Sequence, residues 1–142
     1  MLYVRDIMSR RVRTIPSTSS VKGAARQMAR LNIGSLVIMK GPKAVGIITE
    51  GDVSKAVARG LDPAKTPVGY LRKKLVTIGP DEKVEDAANV LASHGIKKLP
   101  VMESGKLVGM LTQTDIVDSS FALVTSLKEM VRARYRPPDF QP

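Results

Sequence analysis

Two pairs of residues have the types and spacing that could do chemistry: Thr49 with Asp52, and Thr112 with Asp115. Each pair closes a seven-residue phrase, residues 46–52 (GIITEGD) and residues 109–115 (GMLTQTD). An apolar run ending in threonine, with aspartate three residues on, predicts a buried strand, a tight turn and a helix with Asp at its N-cap. A carboxylate held there can accept hydrogen bonds from both hydroxyls of a ribose diol. The threonine can offer its hydroxyl to a phosphate oxygen, an anion that nearby N–H groups and the helix dipole also favour. The plainer use of the same residues is helix capping, worth about 1 kcal/mol each, with no ligand at all. Retention of both residues in both copies favours the ligand.

The repetition reaches far beyond the phrase. Residues 14–52 laid over residues 77–115 without a gap are identical at 14 of 39 positions, among them Thr14/Thr77, Ile33/Ile96 and Gly46/Gly109. Most other apolar positions exchange one aliphatic residue for another. The chain therefore holds two copies of one supersecondary unit.

The elements that must position the pairs follow from local pattern. Apolar residues at Val4, Ile7 and Met8 suggest a short helical turn, and residues 13–15 a brief strand ended by Pro16. Val21, Ala24, Ala25, Met28 and Leu31 lie at helical spacing behind N-cap candidates at residues 17–20; Val84, Ala87, Ala88 and Leu91 repeat this, with Asp81 as N-cap. Gly34 is expected to permit the turn out of the first helix. Residues 36–39 and 45–49, then 98–102 and 107–112, read as strands joined by Gly-containing turns. Helices follow from Asp52 to about Arg59 and from Asp115 to about Arg132. The expected division is a first unit over residues 1–60, a linker over 61–67, a second unit over 68–134, and a loose tail over 135–142.

Composition narrows the function classes. With 142 residues, 43% of them apolar, the chain suits one compact domain or two half-domains that share a core. It has no cysteine, so disulfides, thiolate nucleophiles and Cys metal sites are excluded. No apolar stretch approaches the roughly 20 residues that span a bilayer, and no secretory signal is visible, so a cytoplasmic location is expected. His94, the one histidine, has no acidic companions, and no nucleophile stands beside a base. An enzyme is not expected, nor a metal site. The net charge of +10 is uneven, with 15 Lys/Arg against 4 Asp/Glu in residues 1–76 and 8 against 9 in residues 77–142. An anionic partner fits the basic half, as does a simply solvated surface.

The doubled unit, the Gly-h-h-Thr-x-x-Asp phrase (h, apolar), residues 4–8 (VRDIM) and residues 98–101 (KLPV) together resemble the cystathionine-β-synthase (CBS) domain pair, or Bateman module. The resemblance covers roughly residues 3–120. It implies a mixed α/β (α+β) fold, two β-α-β-β-α units about a pseudo-twofold axis. It also implies clefts between the units that bind AMP, ADP, ATP or S-adenosylmethionine as effectors.

Carried over residue by residue, the resemblance makes each cleft composite. Thr112 and Asp115 would share one with Val12, Arg13, Ile33 and Gly34; Thr49 and Asp52 would share the other with Leu75, Val76, Ile96, Lys97 and Lys98. Ile47 and Met110 would supply apolar floor. Backbone at Arg13 and Val76, where the entry strands lead into Thr14 and Thr77, would read the adenine edge. Lys97 and Lys98, opposite Gly34 and Ser35 in the other copy, imply that the Asp52 cleft prefers the more highly charged nucleotide.

The expected function is a stand-alone regulatory, energy-sensing module, with a protein partner to regulate. Residues 121–131 are more apolar than a solvent-facing helix needs, which fits packing within the module or, preferably, a homodimer contact. The alternative function is nucleic-acid binding through Arg10, Arg11, Arg13, Arg72, Lys73 and Lys74, although stacking aromatics are scarce.

Overall fold

The structure, a computed structural model, describes residues 1–71 and 74–134. Arg72, Lys73 and the expected tail over residues 135–142 lie outside the described residues. The first unit comprises β1 (Thr14–Pro16), α2 (Val21–Leu31), β2 (Ser35–Lys40), β3 (Lys43–Thr49) and α3 (Glu50–Ala58); it is preceded by the short helix α1 (Val4–Ile7). A 3-10 turn, Val68–Tyr70, leads to α4 (Val84–His94), β4 (Lys98–Glu103), β5 (Lys106–Thr112) and α5 (Gln113–Arg134). The fold is mixed α and β, built twice.

The hairpins of the two copies agree in register. β2 and β3 are antiparallel with Ser35 opposite Thr49 and a bulge after Ile38; β4 and β5 are antiparallel with Lys98 opposite Thr112 and a bulge after Val101. β1 runs parallel to β2, the connection passing through α2. Its counterpart is reduced to a single parallel bridge, Ile78 to Val101. The reason is chemical: Ser17 N–H donates to Met39 O at 2.8 Å and extends the ladder, whereas the equivalent residue is Pro80, which has no N–H.

Continuous apolar runs make strands that are covered on both faces, and Leu36, Val37 and Ile38 are fully buried. Two aliphatic cores result. One gathers Ile15, Val21, Ala24, Met28, Leu36, Ile38 and Ile48, the other Ile78, Ala87, Leu91, Leu99, Val101 and Leu111.

Each core is closed by a residue from the opposite copy's lead-in. Val4 of α1 is wholly buried in the second core, and Val68 of the 3-10 turn in the first. Backbone bonds fix the exchange: Val4 N–H donates to Glu82 O at 2.9 Å and Arg5 N–H to Pro80 O at 2.9 Å. In the same way Val68 N–H donates to Ser19 O at 2.7 Å and Gly69 N–H to Ser17 O at 3.0 Å. Ser9 and Met110 exchange both backbone hydrogen bonds at 2.9 Å, so the strand after α1 adds to β5 before it reaches β1.

Two local expectations need correction. The left-handed residue that ends α2 is Asn32 (φ 53°), not Gly34, and its counterpart Gly95 (φ 60°) ends α4. Asn tolerates that conformation because its short polar side chain bonds locally. Asp81 is not the N-cap of α4, which starts at Val84 behind Lys83. The Asp81 carboxylate instead pairs with Arg5, whose Nε lies 2.7 Å away, and this holds Arg5 above its usual pKa. Ser20 does cap α2, accepting from Gly23 N–H at 3.0 Å.

A Cβ on Gly109 would stand 2.9 Å from Ser9 O and 2.6 Å from Met8 Sδ. Gly109→Ala is therefore expected to destabilise the protein by about 1–3 kcal/mol, because backbone must shift to relieve the contact. Urea unfolding monitored by circular dichroism measures it; a change below about 0.5 kcal/mol would mean that the exchanged segment does not clamp β5.

Candidate functional site

Thr49 and Asp52 form a reciprocal cap. Thr49 N–H donates to Asp52 Oδ2 at 2.9 Å, and Asp52 N–H donates to Thr49 Oγ1 at 3.2 Å. The Thr49 hydroxyl also lies 2.9 Å from Asp52 Oδ2, placed to donate. In the second copy Thr112 N–H donates to Asp115 Oδ2 at 2.9 Å and Asp115 N–H to Thr112 Oγ1 at 3.1 Å. The helices thus begin earlier than the sequence suggests, at Glu50 and Gln113. Threonine is the cap, and aspartate is the third helical residue reaching back to it. The correction has a physical source: a carboxylate at that position satisfies the N–H of the preceding strand's last residue. Asp52 is 7% exposed and Asp115 half-buried.

A cavity of about 470 Å³ opens beside Asp52. Its walls are Asp52, Lys55, Ala56 and Arg59 from one face of α3, with Tyr70 and Leu71 opposite. Lys55, Arg59 and Tyr70 were not anticipated from sequence, although a three-and-four spacing from Asp52 would have put the two cations on its face. Tyr70 is an exposed aromatic, 65% accessible, beside a carboxylate and two cations.

The other expected residues are distributed as follows. Leu75 and Val76 are half-buried, on the chain that leads away from Leu71, and Val76 packs on the second core. Ile96 and Lys97 line a different cavity of about 410 Å³ between α4 and α5, with Gln113 and Ile116. Lys98 leaves Lys97 entirely: its Nζ donates to Ser35 Oγ at 3.0 Å and approaches Gly34 and Glu50. Ile47 is half-buried in β3 opposite Val37.

Around Asp115, the segment that carries Val12 and Arg13 is held by the Ser9–Met110 pairing and by Arg13 O, which accepts from Val37 N–H at 3.0 Å. Ile33 packs on the first core, and Gly34 O accepts from Glu50 N–H at 3.2 Å. Thr14 and Thr77 are exposed. Arg10, Arg11, Arg13 and Lys74 are exposed as well, and the rest of the expected basic patch, Arg72 and Lys73, lies outside the described residues.

Ser35 and Lys98 are equivalent residues, each the first of its strand, and they bond to each other. A bond between equivalent positions of the two copies places both residues near the pseudo-twofold axis. Burial pushes the Lys98 ammonium below its usual pKa, and Glu50 opposes that shift.

Among the described residues no group of three or more His, Cys, Asp or Glu could hold a metal ion. No described helix is long and apolar enough to cross a membrane.

The CBS domain model matches residues 4–59 and 68–121. The chain is 29% identical over 115 residues to the uncharacterized Methanocaldococcus jannaschii protein MJ1225, an alignment that covers 80% of this chain and only 41% of that one. Its fold superposes on a signal-transduction protein with CBS domains from Burkholderia ambifaria with a TM-score of 0.81 at 27% identity, covering 85% of this chain and 95% of the other. It is also similar to the CBS domain pair of protein MJ0100, solved in complex with 5′-methylthioadenosine and S-adenosyl-L-methionine: TM-score 0.78, 30% identity, 86% and 98% coverage.

Because the folded pKa of Lys98 is lowered, the unfolded chain binds more protons in the window between that value and the unfolded lysine pKa. Stability contributed by this group therefore rises with pH through that window. The stability difference between wild type and Lys98→Met should shift in favour of wild type as pH climbs from 7 toward 10.5. Thermal unfolding of both proteins across that range checks it, and parallel curves would contradict it.

Proposed function

The chain belongs to the CBS-domain family, and from that premise we propose that it is a regulatory module that senses adenosine-containing ligands in two composite clefts. The observation that carries this reading is the buried Asp52 in a cavity with Lys55, Arg59 and Tyr70. A carboxylate can take a ribose diol, an exposed aromatic can stack on a base, and cations can hold a phosphate. The ligands of MJ0100, both adenosine derivatives, support the same class.

In this reading Asp52 with Thr49, and Asp115 with Thr112, hold the two riboses. Val12, Arg13, Thr14, Ile33, Gly34 and Met110 border the Asp115 cleft. Leu75, Val76, Thr77, Ile47 and Lys98 border the Asp52 cleft, with Lys98 acting from its place against Ser35, while Ile96 and Lys97 stay in the α4–α5 cavity. To meet a phosphate the Thr49 hydroxyl must turn away from Asp52 Oδ2, so occupancy would rearrange the cap. The module is regulatory rather than catalytic: a ligand shifts the arrangement of the two units only by binding one arrangement better than another.

The module also pairs with a second copy. Val117, Phe121, Val124, Leu127, Met130 and Val131 stand exposed along α5 at helical spacing, a stripe that water does not favour. Phe121→Glu with Leu127→Glu should halve the mass seen by sedimentation equilibrium. An unchanged mass would remove α5 from any dimer.

Isothermal titration with AMP, ATP and S-adenosylmethionine tests the sensor. Because Asp52 and Asp115 also bond back to the capping threonines, Asp52→Asn and Asp115→Asn are better variants than alanine: Asn can still accept from the threonine N–H but carries no charge for the diol. Each variant should lose one binding event, and the double variant both. No heat from any of the three ligands would return the aspartates to capping alone.

A further inference from the structure

The two clefts are built on one template yet carry opposite charge. Lys55 and Arg59 follow Asp52 on one face of α3. The residues at the same places after Asp115 in α5 are Asp118 and alanine 122. The lead-in segments differ in the same sense. Val68 and Gly69 bond to Ser19 O and Ser17 O just as Val4 and Arg5 bond to Glu82 O and Pro80 O, so Tyr70 answers to Asp6 and Leu71 to Ile7. Helix α1, with Asp6, lies against α5. One cleft thus sets Asp52 among Lys55, Arg59 and an aromatic ring; the other has Asp118 one turn after Asp115, while the Asp6 carboxylate accepts from Tyr3 N–H at 2.8 Å at the start of its own helix.

Resting on the sensing function above, we propose that the clefts divide the adenosine ligands by charge at the 5′ position. The Asp52 cleft takes ligands that carry 5′-phosphates; the Asp115 cleft excludes phosphate and takes adenosine bearing a neutral or cationic 5′ group, such as a thioether or a sulfonium. The distinction lies in the residues that follow the Thr–Asp pair, not in the pair itself, which is the same in both. Lys55 and Arg59 make no ion pair among the described residues, so their charge is available to a phosphate. Asp118 stands one turn after Asp115, so a phosphate there would meet two carboxylates against the single cation Arg13 that borders the cleft, whereas the Asp52 cleft sets Lys55 and Arg59 against one carboxylate. The cavity of about 470 Å³ has room for a nucleotide.

The experiment is isothermal titration of the full chain with ATP, adenosine and S-adenosylmethionine. Wild type is compared with Lys55→Gln/Arg59→Gln and with Asp118→Lys, whose substituted positions are all exposed. Wild type should bind one ATP, and the double variant should bind it at least about tenfold more weakly while adenosine affinity moves by less than about twofold, as expected for loss of charge-assisted bonds to phosphate alone. Asp118→Lys should admit a second ATP and weaken S-adenosylmethionine. If adenosine and ATP bind wild type but ATP affinity ignores the Lys55 and Arg59 changes, or two ATP bind wild type equally, charge sorting is wrong and the sensor stands. If none of the three ligands binds wild type, the sensor reading itself falls, and this proposal with it.

Discussion

Everything in this molecule depends on an exchange: neither half can close its own core. Val4 lies before the first unit and fills the second core, while Val68 lies before the second unit and fills the first. Each is fully buried, and each is tied down by two backbone hydrogen bonds to the loop ahead of the receiving helix. Burial of such a side chain is worth about 1.5–3 kcal/mol, a large share of the stability of a small core. The two units are consequently one cooperative object, and the pseudo-twofold relation is enforced by chain connectivity as well as by the contact of Ser35 with Lys98.

That exchange is also what makes composite clefts geometrically natural. The chain that closes the first core passes Asp52 at Tyr70 and Leu71 on its way to the second unit. The chain that closes the second core pairs with Met110 on its way to the first. In both cases the segment crossing between units runs past the other unit's Thr–Asp cap. A ligand held by the cap and the crossing segment would touch both units at once, which is the condition for a ligand to bias their arrangement.

The cap is made from the atoms that the proposed site would use. Asp52 Oδ2 receives both the Thr49 N–H and the Thr49 hydroxyl, so the carboxylate that would greet a ribose is the one that starts the helix. Burial to 7% exposure keeps that carboxylate from wandering. A carboxylate fixed in this way would bind at a lower entropy cost; the pair recurs unchanged while the residues one turn later, Lys55 and Asp118, differ.

Sequence alone was enough for what depends on local pattern and on self-comparison. The gapless repeat declared two units; apolar runs at residues 36–39 and 98–102 declared buried strands; the phrases at residues 46–52 and 109–115 declared a strand, a turn and a helix opened by Thr and Asp. It misjudged which residue caps, because cap and third helical position differ only in backbone geometry, and either can hold an Asp. Within the helix-ending stretch 32–34, pattern alone favours Gly34 for the turn, whereas Asn32 takes the left-handed conformation. Tertiary structure alone decided the rest. That Val4 serves the distant core, that Lys98 crosses the axis to Ser35 while Lys97 turns to the α4–α5 cavity, and that Tyr70 faces Asp52 are contacts between residues far apart in the chain. No periodicity encodes such contacts; they exist only once two aliphatic cores have been closed by each other's lead-in segments.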